Sequence, residues 1–169
     1  MIRKKNKFSR PRKPFEGARI KEENVLIKAY GLKTKREIWK AIAKVTYFRD
    51  RAKALAQSSI EEQGVLFKKL SALGLKANSI ADVLDLRVED ILNRRLPSVV
   101  AKKGLANTPQ QARQMVSHKR VLVDGKVINA PSYLVHISEE NSISIKVRNK
   151  VEKPKKQSAE KIEELEASI

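Results

Sequence analysis

The 169-residue chain carries 37 Lys plus Arg against 19 Asp plus Glu, a formal net charge of +18, and a field of that sign draws polyanions to a small surface. It has no cysteine, which excludes a disulfide framework and thiolate zinc sites. Hydrophobic residues make up 41% and aromatic residues 5%, so Leu, Ile, Val and Ala are expected to build one domain or two small ones, with no apolar run or lipidation motif for a membrane.

Met1 to Pro14 holds seven bases (Arg3, Lys4, Lys5, Lys7, Arg10, Arg12, Lys13), no acid and two prolines. It buries too little apolar surface to offset its ordering entropy and is expected to be disordered until a nucleic acid orders it. No secretory signal is expected, since Ile2 leads at once into basic and polar residues. Lys21 to Tyr30 has a helical pattern ending at Gly31. Thr34-Lys35-Arg36-Glu37 reads as a capping box, with the Thr34 hydroxyl and Glu37 carboxylate each expected to take a free backbone N–H. Ile38, Ile42, Val45, Phe48, Ala52 and Leu55 then recur at helical spacing, opposite Lys40, Lys44, Arg49, Arg51 and Lys53. Ser59-Ile60-Glu61-Glu62 opens a third helix by the same device, with Val65, Leu66, Leu70 and Leu73 as its stripe and Gly74 as its stop. Short helices follow at Ile80 to Leu84 and Val88 to Arg94, and there is no internal repeat.

From Arg95 the pattern changes. Pro97 fits the first turn of a helix that Gly104 ends. Thr108-Pro109-Gln110-Gln111 is a capping box with proline at the first helical position, and Ala112, Met115 and Val116 form the inward face. Asp124-Gly125 between Val121-Leu122-Val123 and Lys126-Val127-Ile128 signals a two-residue β-hairpin. Tyr133 to Ile137 and Ser142 to Val147 read as two more strands, which makes an α+β unit with a small antiparallel sheet. Beyond Lys150 comes a Pro/Lys linker, then Ser158 to Ile169 with one base and four acids.

Catalysis finds no support. His118 and His136 stand alone without cysteine, so a metal site is not expected. Asp82, Asp85, Glu89 and Asp90 read as a solvated or ion-paired face, and no Gly-rich phosphate loop exists. Trp39, Phe48 and Tyr133 read as packing, and His136 as structural. His118 ends a helix, where it can interact with the helix dipole and donate to a phosphate or 2′-hydroxyl. Lys102, Lys103, Arg113, His118, Lys119 and Arg120 collect around helix ends with a local excess of bases, as an RNA backbone requires.

The run Arg95-Leu96 … Gly104 … Thr108 … Ala112-Arg113-Gln114 … His118 … Val121-Leu122-Val123-Asp124-Gly125-Lys126 … Pro131-Ser132-Tyr133-Leu134-Val135 resembles the S-four RNA-binding domain. Tyr30-Gly31-Leu32-Lys33-Thr34-Lys35-Arg36-Glu37-Ile38-Trp39-Lys40-Ala41, Leu70 to Leu75 and Val88 to Leu92 are similar to the archaeal and eukaryotic type of the small-subunit ribosomal protein S-four family. The likeness runs from about Ile20 to Val147. Pro97 and Lys119-Arg120 depart from the commoner Gln and Gly-containing patterns, which bears on the backbone before Val121.

The resemblance implies a basic arm (1–19), a helical domain (20–94), an S-four RNA-binding domain (95–147) with two helices on a small antiparallel sheet, and a linker with an acidic tail (148–169). It implies a cytoplasmic, ribosome-bound protein without enzymatic activity or cofactor. Such a protein binds small-subunit rRNA at a multi-helix junction in the 5′ domain early in assembly, contacts the neighbouring protein S-five, and lies near the mRNA entry channel, where it affects accuracy. Family RNA-contact positions that match are Arg95, Lys102 or Lys103, Arg113, Gln114, His118 and Lys119; Arg120, Lys35, Arg36, Lys40 and the seven bases of the arm join them as expected RNA contacts. Two other readings stay open: a pre-rRNA-processing protein of a small nucleolar particle with the same two lobes, and the substrate-reading domain of an RNA-modifying enzyme. The twenty-two residues after Val147 are expected to be too few for a catalytic domain.

Overall fold

In the computed structural model, residues 6–146 are described. They form eight helices and three short strands. Helix α1 (Gly17–Tyr30) runs into α2 (Lys35–Leu55), the longest at 21 residues, followed by α3 (Ile60–Ala72), α4 (Ile80–Asp85) and α5 (Val88–Asn93). Ile38, Ala41, Val45, Phe48 and Ala52 of α2 are buried against Leu66, Leu70, Val83, Ile91 and Leu92. The stripe of α2 is rotated slightly from the expected one. Ala41 takes the inward place, because its small side chain lets helices approach, and Ile42 is 43% exposed. In α3, Val65 likewise faces out while Leu66 and Leu70 carry the core.

The capping boxes divide by chemistry. Ser79 accepts from the Asp82 N–H at 3.2 Å while the Asp82 carboxylate accepts from the Ser79 N–H at 2.9 Å, and Thr108 accepts from the Gln111 N–H at 3.2 Å. Asp90 plays the Asp82 part for α5, accepting from the Arg87 N–H at 2.7 Å. Thr34 and Ser59 make no side-chain cap. At Thr34 the Glu37 N–H donates instead to the Thr34 carbonyl at 3.1 Å, and two arginines from later in the chain take the Glu37 carboxylate.

A second core forms from α6 (Leu96–Lys102), α7 (Pro109–Ser117) and a sheet of β1 (Val121–Val123), β2 (Lys126–Val127) and β3 (Ser144–Ile145). Its buried members are Leu96, Val99, Val100, Ala106, Ala112, Val116, Val121, Val123, Val135 and Ile143. The antiparallel order is β2-β1-β3, with Val123 opposite Lys126. Asp124 and Gly125 have φ of 50° and 75°, the left-handed pair a type I′ turn demands, which matches the twist of the flanking strands. The described residues are thus mostly helical with one small antiparallel sheet.

Tyr133 to Ile137 is not a strand. Leu134 makes a single bridge to Arg95, and the chain turns into α8 (Ile137–Glu140) after His136. Glu139 causes this by accepting from the His136 N–H at 3.2 Å and from the Tyr133 hydroxyl at 2.8 Å. Burial and this contact push the Tyr133 hydroxyl up to about 12. Of the last strand, expected over Ser142 to Val147, the described residues form Ser144–Ile145, two residues long, and Val147 lies outside them.

Helix α1 begins at Gly17, inside the segment read as an arm. Residues 6–16 have no helix or strand but do have contacts. The Phe8 ring lies 6.0 Å from Trp39, and Arg19 donates to the Lys13 and Pro14 carbonyls, each at 2.9 Å. Arg3, Lys4, Lys5 and residues 147–169 lie outside the described residues.

Candidate nucleic-acid interface

Thr108 and Pro109 start α7, and its C-terminal end places the basic cluster. The His118 N–H donates to Gln114 O at 2.9 Å, Lys119 to Val116 O at 3.0 Å and Arg120 to Met115 O at 3.0 Å. The last two are the paired bonds of a Schellman motif, with Lys119 at the position that glycine usually fills. Lys119 accordingly has φ of 59°, so the departure noted in the sequence is a lysine held in left-handed backbone. This turn throws His118, Lys119 and Arg120 outward in succession, all exposed, just before β1. His118 and Arg120 meet Gln114, Gln111, Leu105 and Met115 around an open pocket of about 240 Å³.

The other expected contacts fall in different places. Lys102 is exposed but faces a separate hollow with Asp82, Asp85 and Asp90, and the Lys103 ammonium donates to the Glu140 carbonyl. Lys7, Arg10, Arg12, Lys13 and Arg36 are exposed. Lys40, exposed on α2, has its ammonium 6.0 Å from the centre of the Phe8 ring. Lys35 pairs with Glu23 at 3.3 Å. Glu23 is a buried carboxylate that also accepts from Arg19 at 2.6 Å and from the Trp39 indole at 2.9 Å. Burial favours its neutral form, but these donors prevail and hold its pKa below the usual carboxylate range.

Arg95 and Arg113 are not free charges. Both Arg113 terminal nitrogens donate to Glu37, at 2.8 and 2.7 Å, and Arg95 donates to the same carboxylate at 2.5 Å. Arg95 is 6% exposed and also donates from Nε to Pro131 O at 3.2 Å. Burial raises the Glu37 pKa, yet the two guanidiniums outweigh it and bring it down to about 2. The sequence reading missed Glu37 because its spacing from Thr34 fits a cap equally well. It also missed Glu140, which accepts from Arg94 at 2.8 Å. The signal for both was a pair of adjacent arginines, Arg94-Arg95, in a stretch whose later residues are buried. Arg94 also closes over Gly74, where an added Cβ would lie 2.7 Å from the guanidinium carbon.

No helix among the described residues is long and apolar enough to cross a membrane. Residues 94–141, which hold α6, α7, β1, β2 and α8, match the S4 domain, so these elements are an S4-domain unit bearing a basic α7–β1 turn. Over most of its length the chain is similar to archaeal proteins named small ribosomal subunit protein uS4. Identity to that of Methanococcus aeolicus is 45%, covering 81% of each protein. To that of Methanothermobacter thermautotrophicus it is 43%, over 82% of this chain and 85% of the relative. To that of Halobacterium salinarum it is 42%, over 81% and 82%. The chain belongs to the uS4 family of small ribosomal subunit proteins.

Proposed function

We propose that this protein is a structural constituent of the small ribosomal subunit that binds its rRNA and catalyses no reaction. The observation that carries the proposal is the identity of 42–45% to small-subunit proteins over about four-fifths of the chain. The basic α7–β1 turn gives it a physical means. His118, Lys119, Arg120 and Gln114 present donors from a rigid turn. RNA of helical or junction form is recognised through shape, phosphates and 2′-hydroxyls rather than base edges, which suits such donors.

The RNA-facing set comprises Gln114, His118, Lys119, Arg120, Lys102, Lys103, Arg36, Lys40 and the bases of the first thirteen residues. Arg95, Arg113 and Lys35 have acid partners within the chain and serve by another route. The division into 1–19, 20–94, 95–147 and 148–169 belongs to the same reading, supported by the two separate apolar cores. Its finer content is binding at a multi-helix rRNA junction early in assembly, contact with protein S-five, a place near the mRNA entry channel that supports accuracy, and a cytoplasmic, ribosome-bound location.

The experiment is sedimentation of the tagged chain from cells on a gradient that separates mature small subunits from precursor particles. Stoichiometric presence in mature subunits is the expected result. Presence only in precursors favours the pre-rRNA-processing reading and overturns this one.

A further inference from the structure

We infer that Glu37 is a positioning residue for RNA binding: by holding Arg95 and Arg113 together it fixes the S4-domain unit against the helical lobe, and Arg113 acts through Glu37 rather than on a phosphate. The inference deepens the rRNA-binding reading and rests on it. Three observations carry it. Both terminal nitrogens of Arg113 are directed at Glu37, one to each carboxylate oxygen, so the end-on pair of donors, the face that a bidentate phosphate contact would use from this direction, is already taken up by the carboxylate. Glu37 lies on α2 while Arg113 lies on α7 and Arg95 immediately precedes α6, so one carboxylate joins the two cores. The two lobes also come close at the start of α7, where a Cβ on Gly31, just after α1, would lie 2.8 Å from the Pro109 carbonyl carbon.

The consequence runs against simple electrostatics. RNA read by shape must meet basic groups on both lobes at a fixed separation. An acid that locks the lobes therefore strengthens binding to the right RNA although it repels every RNA by charge.

The test uses the full chain and two probes, a transcript of the small-subunit rRNA 5′ domain and an unrelated RNA duplex of equal length, titrated across a salt series. Glu37→Gln, Arg113→Ala, Arg113→Lys and the Glu37→Gln/Arg113→Ala pair are compared with Lys119→Ala, a variant of an RNA-facing base. The expected result is a loss of about tenfold or more in 5′-domain affinity for Glu37→Gln and Arg113→Ala, with the pair no worse than either alone. Their salt slopes stay at the wild-type value, whereas Lys119→Ala lowers its slope by roughly 0.7 to 0.9. Arg113→Lys keeps the charge but cannot span both carboxylate oxygens, so it loses affinity like Arg113→Ala. If Glu37→Gln misfolds, Arg113→Lys decides alone.

Tighter 5′-domain binding by Glu37→Gln, retained affinity in Arg113→Lys, or a lowered slope in Arg113→Ala overturns the positioning role and leaves the rRNA reading intact. A wild-type chain that binds the 5′-domain transcript no better than the unrelated duplex overturns the rRNA reading itself.

Discussion

Lys119 sits in left-handed backbone at φ 59°, and replacing it separates what its backbone costs from what its charge does. An L-residue in that region is strained by roughly 1–2 kcal/mol, while glycine carries no such strain but loses about 0.5–1 kcal/mol more unfolded-chain entropy. Lys119→Gly should therefore stabilise the protein by about 1 kcal/mol net, keeping the Lys119 N–H bond to Val116 O and the Arg120 N–H bond to Met115 O. For a chain of this size that is a rise of about 2–4 °C in Tm. Lys119→Ala removes the same charge but keeps the strain, so its stability should stay within about 0.5 kcal/mol of wild type. Both should lower the RNA salt slope equally, by roughly 0.7–0.9. Urea unfolding gives the stabilities and salt-series titration the slopes. If the glycine variant is no more stable than the alanine one, the Schellman account fails; if their slopes differ, Lys119 acts on RNA through geometry rather than charge. A lysine where glycine is easier marks a turn in which stability has yielded to charge.

Gly31→Ala combines left-handed strain at φ 59° with the 2.8 Å approach to Pro109; it should destabilise by about 2–4 kcal/mol in urea unfolding. Thr108→Ala removes the acceptor for the Gln111 N–H and should cost about 1 kcal/mol, read in the same assay. The Glu37 pKa falls from 4.5 to about 2 on folding, so the stabilisation it brings is fully present above the unfolded value and is lost as pH drops through the folded one. Acid titration of wild type against Glu37→Gln should show an extra loss of about 3 kcal/mol in wild type between pH 5 and pH 2; parallel curves would show that the arginines do not hold the carboxylate in solution.

The core and the helix order were legible because local signals and burial agree there. Ser79 and Thr108 each cap a backbone N–H three residues on, and Asp124-Gly125 adopts the left-handed pair of φ that a two-residue turn needs, so periodicity and turn chemistry locate α4, α7 and the hairpin. Tyr133 to Ile137 reads as a strand by composition, yet Glu139, further along the chain, captures the His136 N–H and starts a helix instead. Glu37 fails for the same reason at longer range: its partners lie 58 and 76 residues away. A short sequence window shows a glutamate three residues after a threonine and nothing of the two arginines that take it. The basic turn at His118 to Arg120 was visible because its charges are consecutive, whereas the separation of Lys102 from that turn depends on how α6 and α7 pack.

The few acids of this chain explain how so basic a protein folds before it meets RNA. Glu23 gathers Arg19 and Lys35, Glu37 gathers Arg95 and Arg113, and Glu140 takes Arg94. Each of these acids sits where helices meet, and at each place unpaired bases would repel across a partly dry interface. At the α7–β1 turn, by contrast, His118, Lys119 and Arg120 are exposed and make no salt bridge among the described residues. Pairing at the junctions and leaving bases free at the turn produces a rigid body whose surplus charge awaits a polyanion. Adding more acid at the turn would raise solution stability by relieving repulsion, yet would remove the surface on which the proposed function depends.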